Sequence, residues 1–167
     1  KMTAFVILHY RVIDTTRKCV ESIKALAGEK HIVIVDNASP NGTGAELATE
    51  FASDPVVDVI LNPENSGFAR GNNLGVKYVA DELDADFVCV LNNDVEIRQR
   101  DFIEKIGQIY SEHPFDLLGP DILSVFSGIH QSPKSLHAVS IEQVRKKRAF
   151  VKRSQNPVLL LLSSGEK

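Results

Sequence analysis

Four short runs of apolar, largely β-branched residues constrain this chain most: "AFVILHY" (4–10), "HIVIVD" (31–36), "VVDVILN" (56–62) and "DFVCVLN" (86–92). Each is too short to be a helix of ordinary length and too continuously apolar to be a half-exposed strand. Each reads as a buried strand. Helical patterns lie between and after them. Cys19, Val20, Ile23 and Leu26 repeat at helical spacing, with Asp14 as the expected N-cap and Gly28 as the stop. A short helix is expected over 45–51. Another, entered from a polar, glycine-rich loop over 63–75, carries Val76, Val79 and Leu83, and a fourth spans 101–114, stopped by Pro114. The stretch "DLLGPDIL" (116–123) is a candidate fifth strand. Strands alternating with helices predict an α/β fold, a mostly parallel sheet flanked by helices on both faces.

The regular pattern fades after residue 124. Two regions are therefore expected: an α/β domain over 1–124, and an irregular segment with a basic helix over 125–167. Charge divides in the same way. Residues 1–143 hold 12 Lys/Arg against 21 Asp/Glu, a net −9, and residues 144–167 hold 7 against 1, a net +6. An acidic body does not suit nucleic acid. The two cysteines, Cys19 and Cys89, sit inside apolar patterns and are too few for a disulfide framework, which fits a reducing cytoplasm. No window reaches the roughly 18 consecutive apolar residues of a membrane span, and no leader pattern precedes the first strand.

In an open parallel sheet, ligands bind beyond the carboxyl ends of the strands. A polar cluster stands at each such end: Tyr10-Arg11, Asp36-Asn37, the residues from Asn62, and Asn92-Asn93-Asp94. Asp36 fits either an Asx-turn closing its strand or a carboxylate that accepts hydrogen bonds from a base or ribose. In "NSGFARGNN" (65–73), Gly67 and Gly71 flank Arg70. Glycines admit close backbone approach to phosphate, and Arg offers a bidentate fork. Neither a P-loop nor a dinucleotide fingerprint is matched. Asn92, Asn93 and Asp94 fit a strand-end turn or a site for Mg²⁺ or Mn²⁺, which often takes one carboxylate from protein and oxygens from phosphate. The five histidines make no pair at metal-ligand spacing, and Ser66 lacks the context of a hydrolase nucleophile.

In order and spacing, "VILHYR", "IVIVDNASPNGTG", "NPENSGFARGNNLG" and "VCVLNNDVEI" resemble the family 2 glycosyltransferases with a GT-A fold, and most nearly their bacterial rhamnosyltransferase-like branch, which builds capsular and cell-wall polysaccharide. The likeness spans roughly residues 3–124. It implies a nucleotide-diphospho-sugar donor carrying UDP or dTDP, a saccharide or lipid-linked acceptor, and transfer with inversion. Tyr10 and Arg11 would pack around the base, and Asp36 would bind base or ribose. Asn65, Gly67 and Arg70 would lie by the nucleotide. Asn92 and Asn93 would face the diphosphate, with Asp94 on the divalent cation. The first position of that Asp-x-Asp-like motif is Asn here, which leaves one carboxylate where two are commoner.

The family's general base comes from a later acidic segment. After Asp121 the only acids are Glu142 and Glu166, so the base is expected to lie beyond this chain, which would then be a donor-side fragment. A non-catalytic nucleotide-sugar binder and a sugar-phosphate nucleotidyltransferase remain as alternatives. The latter expects a glycine-rich signature after the first strand, where this chain reads "HYRVIDTTRK". The basic stretch 145–153 is either a solvated helix face or a contact with anionic lipid at the inner face of a membrane.

Overall fold

The computed structural model describes residues 1–132, which fall in two units, Lys1–Pro114 and the segment from Phe115 onward. In the first unit, β1 (Thr3–His9), β2 (Lys30–Asp36), β3 (Val57–Leu61) and β4 (Phe87–Asn92) form one sheet in the order β3-β2-β1-β4. Every pairing is parallel. Parallel neighbours need crossover connections, supplied by α1 (Ile13–Lys24), α2 (Thr43–Glu50) and α3 (Phe68–Glu82); α4 (Phe102–Glu112) follows β4. The four carboxyl ends consequently share one edge. His9 sits opposite Asp36, and Leu8 opposite Asn92.

The period of two along each strand divides the apolar side chains between two cores. Phe5, Ile7, Ile32 and Ile34 pack with Cys19, Val20 and Ile23 of α1, Leu47 of α2 and Ile103 of α4. On the other face, Ala4, Val6, Val33 and Val35 pack against Val79 of α3. Fully burying each large aliphatic or aromatic side chain stabilises the fold by about 1.5–3 kcal/mol. The expected cover is incomplete at one edge. Val88 and Val90 of β4 remain 42% and 47% exposed among the described residues, because α3 lies mainly over β1 and β2.

Helix α3 corrects the reading of 63–75 as a loop. It begins at Phe68, so Gly71 and Gly75 are helical, one turn apart. A Cβ at Gly71 would stand 2.6 Å from Leu8 Cδ1, and one at Gly75 would stand 2.4 Å from Val6 Cγ1. These glycines let the helix backbone rest on the sheet. Of Gly67, Gly71 and Gly75, only Gly67 needs its conformational freedom, at φ 81° where the helix starts.

Two helix limits also differ from expectation. The N-cap of α1 is Val12, without a side-chain cap, and Asp14 lies in the first turn, where its charge favours the helix dipole. The same helix ends at Lys24, and Gly28 falls in the following turn at φ 98°. In the second unit, β5 (Ile122–Leu123) pairs antiparallel with β6 (His130–Ser132). The candidate strand within 116–123 is therefore two residues long and does not extend the parallel sheet. The expected basic helix and the lipid contact at 145–153 lie outside the described residues. No described helix is long and apolar enough to cross a membrane.

Candidate functional site

Backbone hydrogen bonds extend the ladder past the strand ends: Asn37 N–H donates to the His9 carbonyl at 3.0 Å, and Asn62 N–H to the Asp36 carbonyl at 2.9 Å. The loops that follow are thereby held side by side. A cavity of about 240 Å³ opens there, lined by Leu8, Tyr10, Phe68, Asn92, Asn93 and Asp94. A complete small-molecule pocket is roughly 300–1,000 Å³. Tyr10 and the Asn92–Asp94 triplet thus meet at one cavity. Arg11, Asp36, Asn65, Gly67 and Arg70, expected at the same site, are not among its lining residues.

Asp36 is 6% exposed. Its carboxylate accepts from Ser39 N–H at 3.3 and 3.2 Å, an Asx-type turn. It also fills the space above Gly44, where a Cβ would stand 2.1 Å from Oδ2. The turn reading of Asp36 therefore holds in this structure. A carboxylate so fixed also presents a preset acceptor to a ligand.

Asn37, to which the sequence reading gave no role, organises the next loop. Its Nδ2 donates to Asn65 Oδ1 at 2.9 Å, and its Oδ1 accepts from Asn62 Nδ2 at 3.0 Å and from Ser66 N–H at 3.2 Å. Asn65 Oδ1 also accepts from Gly67 N–H at 3.0 Å. Asn65 thus shapes the turn ahead of α3. Arg70 projects from the exposed first turn of that helix, where unpaired backbone N–H groups also favour an anion.

Arg11 and Ala38 adopt left-handed backbone conformations, at φ 67° and 58°. Such strain, of order 1–3 kcal/mol per residue, persists only where neighbours enforce it. For Arg11, its N–H donates to Ser39 Oγ at 2.9 Å, and its carbonyl accepts from Asn41 Nδ2 at 2.9 Å. The guanidinium stacks 4.9 Å over the Tyr10 ring.

Of the Asn92–Asp94 triplet, Asn93 faces inward. Its Nδ2 lies 3.3 Å from the Val12 carbonyl, 3.2 Å from Thr15 Oγ1 and 3.1 Å from Thr16 Oγ1. It ties the loop after β4 to the start of α1. Asp94 is exposed and makes no hydrogen bond or ion pair among the described residues. No group of three or more His, Cys, Asp or Glu is placed to hold a metal among them. One free carboxylate is the donor set of a hard cation that also takes phosphate oxygens, so Asp94 fits Mg²⁺ or Mn²⁺ held jointly with a nucleotide.

Behind the site lies His9, fully buried. Its Nδ1 is 2.7 Å from Thr16 Oγ1, its Nε2 2.9 Å from Thr43 Oγ1, and Asp36 Oδ1 is 4.0 Å away. Burial pushes the imidazole below its ordinary value, and Asp36 only partly offsets this, so the ring is neutral at pH 7. It continues the inward parity of Phe5 and Ile7, a signal legible in the sequence.

Residues 4–164 match the family model for glycosyl transferase family 2. The chain belongs to that family. A hexosyltransferase of low-salt glycan biosynthesis from Haloferax volcanii, Agl10, is 33% identical over 117 residues, 68% of this chain and 36% of its own length. Among solved structures, S. aureus TarS 1-349 in complex with UDP-GlcNAc aligns at a TM-score of 0.57 and 17% identity, over 68% of this chain and 32% of that one. A mannosyltransferase from Pyrobaculum calidifontis, in complex with GDP-Man and Mn²⁺, aligns at 0.57 and 16%, over 65% and 32%. These likenesses show the fold, GT-A. The family 2 chain described here spans about a third of the length of the relatives it matches.

Proposed function

We propose that this chain forms the donor-binding part of a glycosyltransferase that moves a sugar from a nucleotide-diphospho-sugar to a saccharide or lipid-linked acceptor. The carrying observation is the shared edge: loops from four parallel strands leave it together, and Tyr10 and Asp94 border one cavity there. In this reading Tyr10 and Arg11 pack around the base, and Asp36 receives base or ribose. Asn65 and Gly67 shape the loop beside the nucleotide, and Arg70 faces the diphosphate. Asn92 and Asn93 frame the motif in which Asp94 holds Mg²⁺ or Mn²⁺. When bound, that cation stabilises negative charge on the departing nucleoside diphosphate. The bound nucleotides of the TarS and Pyrobaculum proteins support a UDP-, GDP- or related donor. Within the family, the motif order favours a rhamnosyltransferase-like enzyme of cell-surface polysaccharide synthesis. Contact of 145–153 with the membrane's inner face belongs to the same proposal.

The test is turnover by the full-length protein with a panel of UDP-, dTDP- and GDP-sugars, with and without Mn²⁺. We expect nucleotide release with at least one donor, dependent on the cation. Tight nucleotide binding without turnover across the panel would make the chain a non-catalytic binder instead.

A further inference from the structure

One hydrogen-bond chain links three of the four strand-end loops. It begins at Asn93, in the loop after β4, and reaches Thr16 Oγ1 at 3.1 Å. It crosses the His9 ring by way of Nδ1 and Nε2 to Thr43 Oγ1. From there it runs to Asn41 Oδ1 at 2.9 Å, and Asn41 Nδ2 donates to the Arg11 carbonyl at 2.9 Å. It thus joins the loops after β4, β1 and β2.

Proton counting gives the chain a direction. Each threonine hydroxyl has one proton, and a neutral imidazole has one donor and one acceptor. With the ring proton on Nε2, Asn93 Nδ2 donates to Thr16, Thr16 to Nδ1, Nε2–H to Thr43, Thr43 to Asn41 Oδ1, and Asn41 Nδ2 to Arg11. The only contact given up is Thr16 to the Val12 carbonyl, long at 3.3 Å, and that carbonyl still accepts from Thr15 Oγ1 at 3.0 Å. With the proton on Nδ1, Thr43 must turn its proton to Nε2, and Asn41 Oδ1 loses its donor. Each form gives up one protein contact, and the Nε2–H form keeps the shorter of the two, 2.9 Å against 3.3 Å. The middle of the chain, Thr16–His9–Thr43, is buried, and buried polar networks rigidify their surroundings when every member is paired.

We propose that His9 is a positioning residue: as the Nε2–H tautomer it holds the Tyr10–Arg11 loop and the Asn93–Asp94 loop in fixed register across the donor site. This rests on the reading of that edge as a nucleotide-sugar site. His9 does not line the cavity at this edge, so it acts through its neighbours rather than on the substrate. Its neutral state follows from its burial, and Asp36 is the charged group beside it.

Thr43 provides the test, because it stands on the β2 side of His9, away from Asp94. In the full-length protein, Thr43→Val should weaken Mn²⁺ binding to the UDP complex about 5-fold or more, read by electron paramagnetic resonance. Thr43→Ser should restore it. Thr16→Val combined with Thr43→Val should be no worse than either alone, since both cut one chain. A Thr43→Val variant with weaker UDP affinity but unchanged Mn²⁺ affinity, or strictly additive losses, would overturn the proposal. A second readout needs no variant: nitrogen-15 imidazole spectra of the wild-type protein should show His9 protonated at Nε2, and protonation at Nδ1 overturns the assignment. Should the wild-type protein bind neither UDP nor Mn²⁺, the donor-site reading itself fails, a result separate from these.

Discussion

Replacing Gly44 with Ala is the most informative single change at the site. The added Cβ would stand 2.1 Å from Asp36 Oδ2, 2.3 Å from Cγ and 2.8 Å from Cβ. All three lie far inside ordinary contact, and the Asp36 side chain is only 8% exposed. Either the Asp36 side chain rotates away and loses its bonds from Ser39 N–H, or α2 lifts and unseats Leu47 from the core. Overpacking of this kind costs about 1–3 kcal/mol. At an unconstrained helix position the same change would stabilise by up to about 1 kcal/mol, so the sign discriminates. A melt should show Tm lower by about 4–12 °C, at roughly 4 °C per kcal/mol for a domain of this size. If Asp36 meets the nucleotide, displacing it should also weaken UDP binding about 10- to 150-fold by calorimetry, the loss of one hydrogen bond to a charged group at about 1.5–3 kcal/mol. A Gly44→Ala protein as stable as the wild type, with unchanged UDP affinity, would refute both the packing and the role of Asp36.

The same substitution should divide elsewhere by sign. Gly75→Ala meets Val6 Cγ1 at 2.4 Å and should lower the urea midpoint by the equivalent of about 1–3 kcal/mol, whereas Gly107→Ala has open space and should raise it by up to about 1 kcal/mol. Because the buried His9 binds its proton less tightly than an unfolded histidine, the unfolded chain takes up the proton first as pH falls. Stability should therefore be flat above about pH 6.5 and decline below it, and His9→Gln should flatten that decline in melts across pH 5–8. Burial holds the Cys19 and Cys89 thiols up at about 12 and about 11, so both should resist iodoacetamide at pH 8 in the native protein and react on unfolding in urea.

The strand and helix pattern was legible because burial on both faces leaves nearly unbroken apolar runs, as in "HIVIVD" (31–36). The convergence of Tyr10 with Asn92–Asp94 followed from parallel topology alone. Other features were not legible, for physical reasons. Gly71 and Gly75 look like loop residues, yet what selects them is the nearness of Leu8 and Val6, a tertiary fact. Asp14 has good capping chemistry, but the chain enters α1 through Val12, and Asn93, Thr15 and Thr16 gather around the Val12 carbonyl. Asn65 and Asn93 were expected beside the ligand, and their bonds to the protein itself were not foreseen. Only a pairing of residues 77 and 78 positions apart, such as Asn93 with Thr16 and Thr15, reveals that. His9 could have been found from strand parity, since it falls on the face of Phe5 and Ile7.

Paramagnetic broadening by Mn²⁺ in the UDP complex of the full-length protein tests most directly whether these loops grip one diphosphate and its cation. Amide signals of residues 10–11, 37–39, 65–70 and 92–94 should broaden together, and Asp94→Asn should abolish the effect at all four. Broadening confined to 92–94, or surviving in Asp94→Asn, would contradict a single shared site.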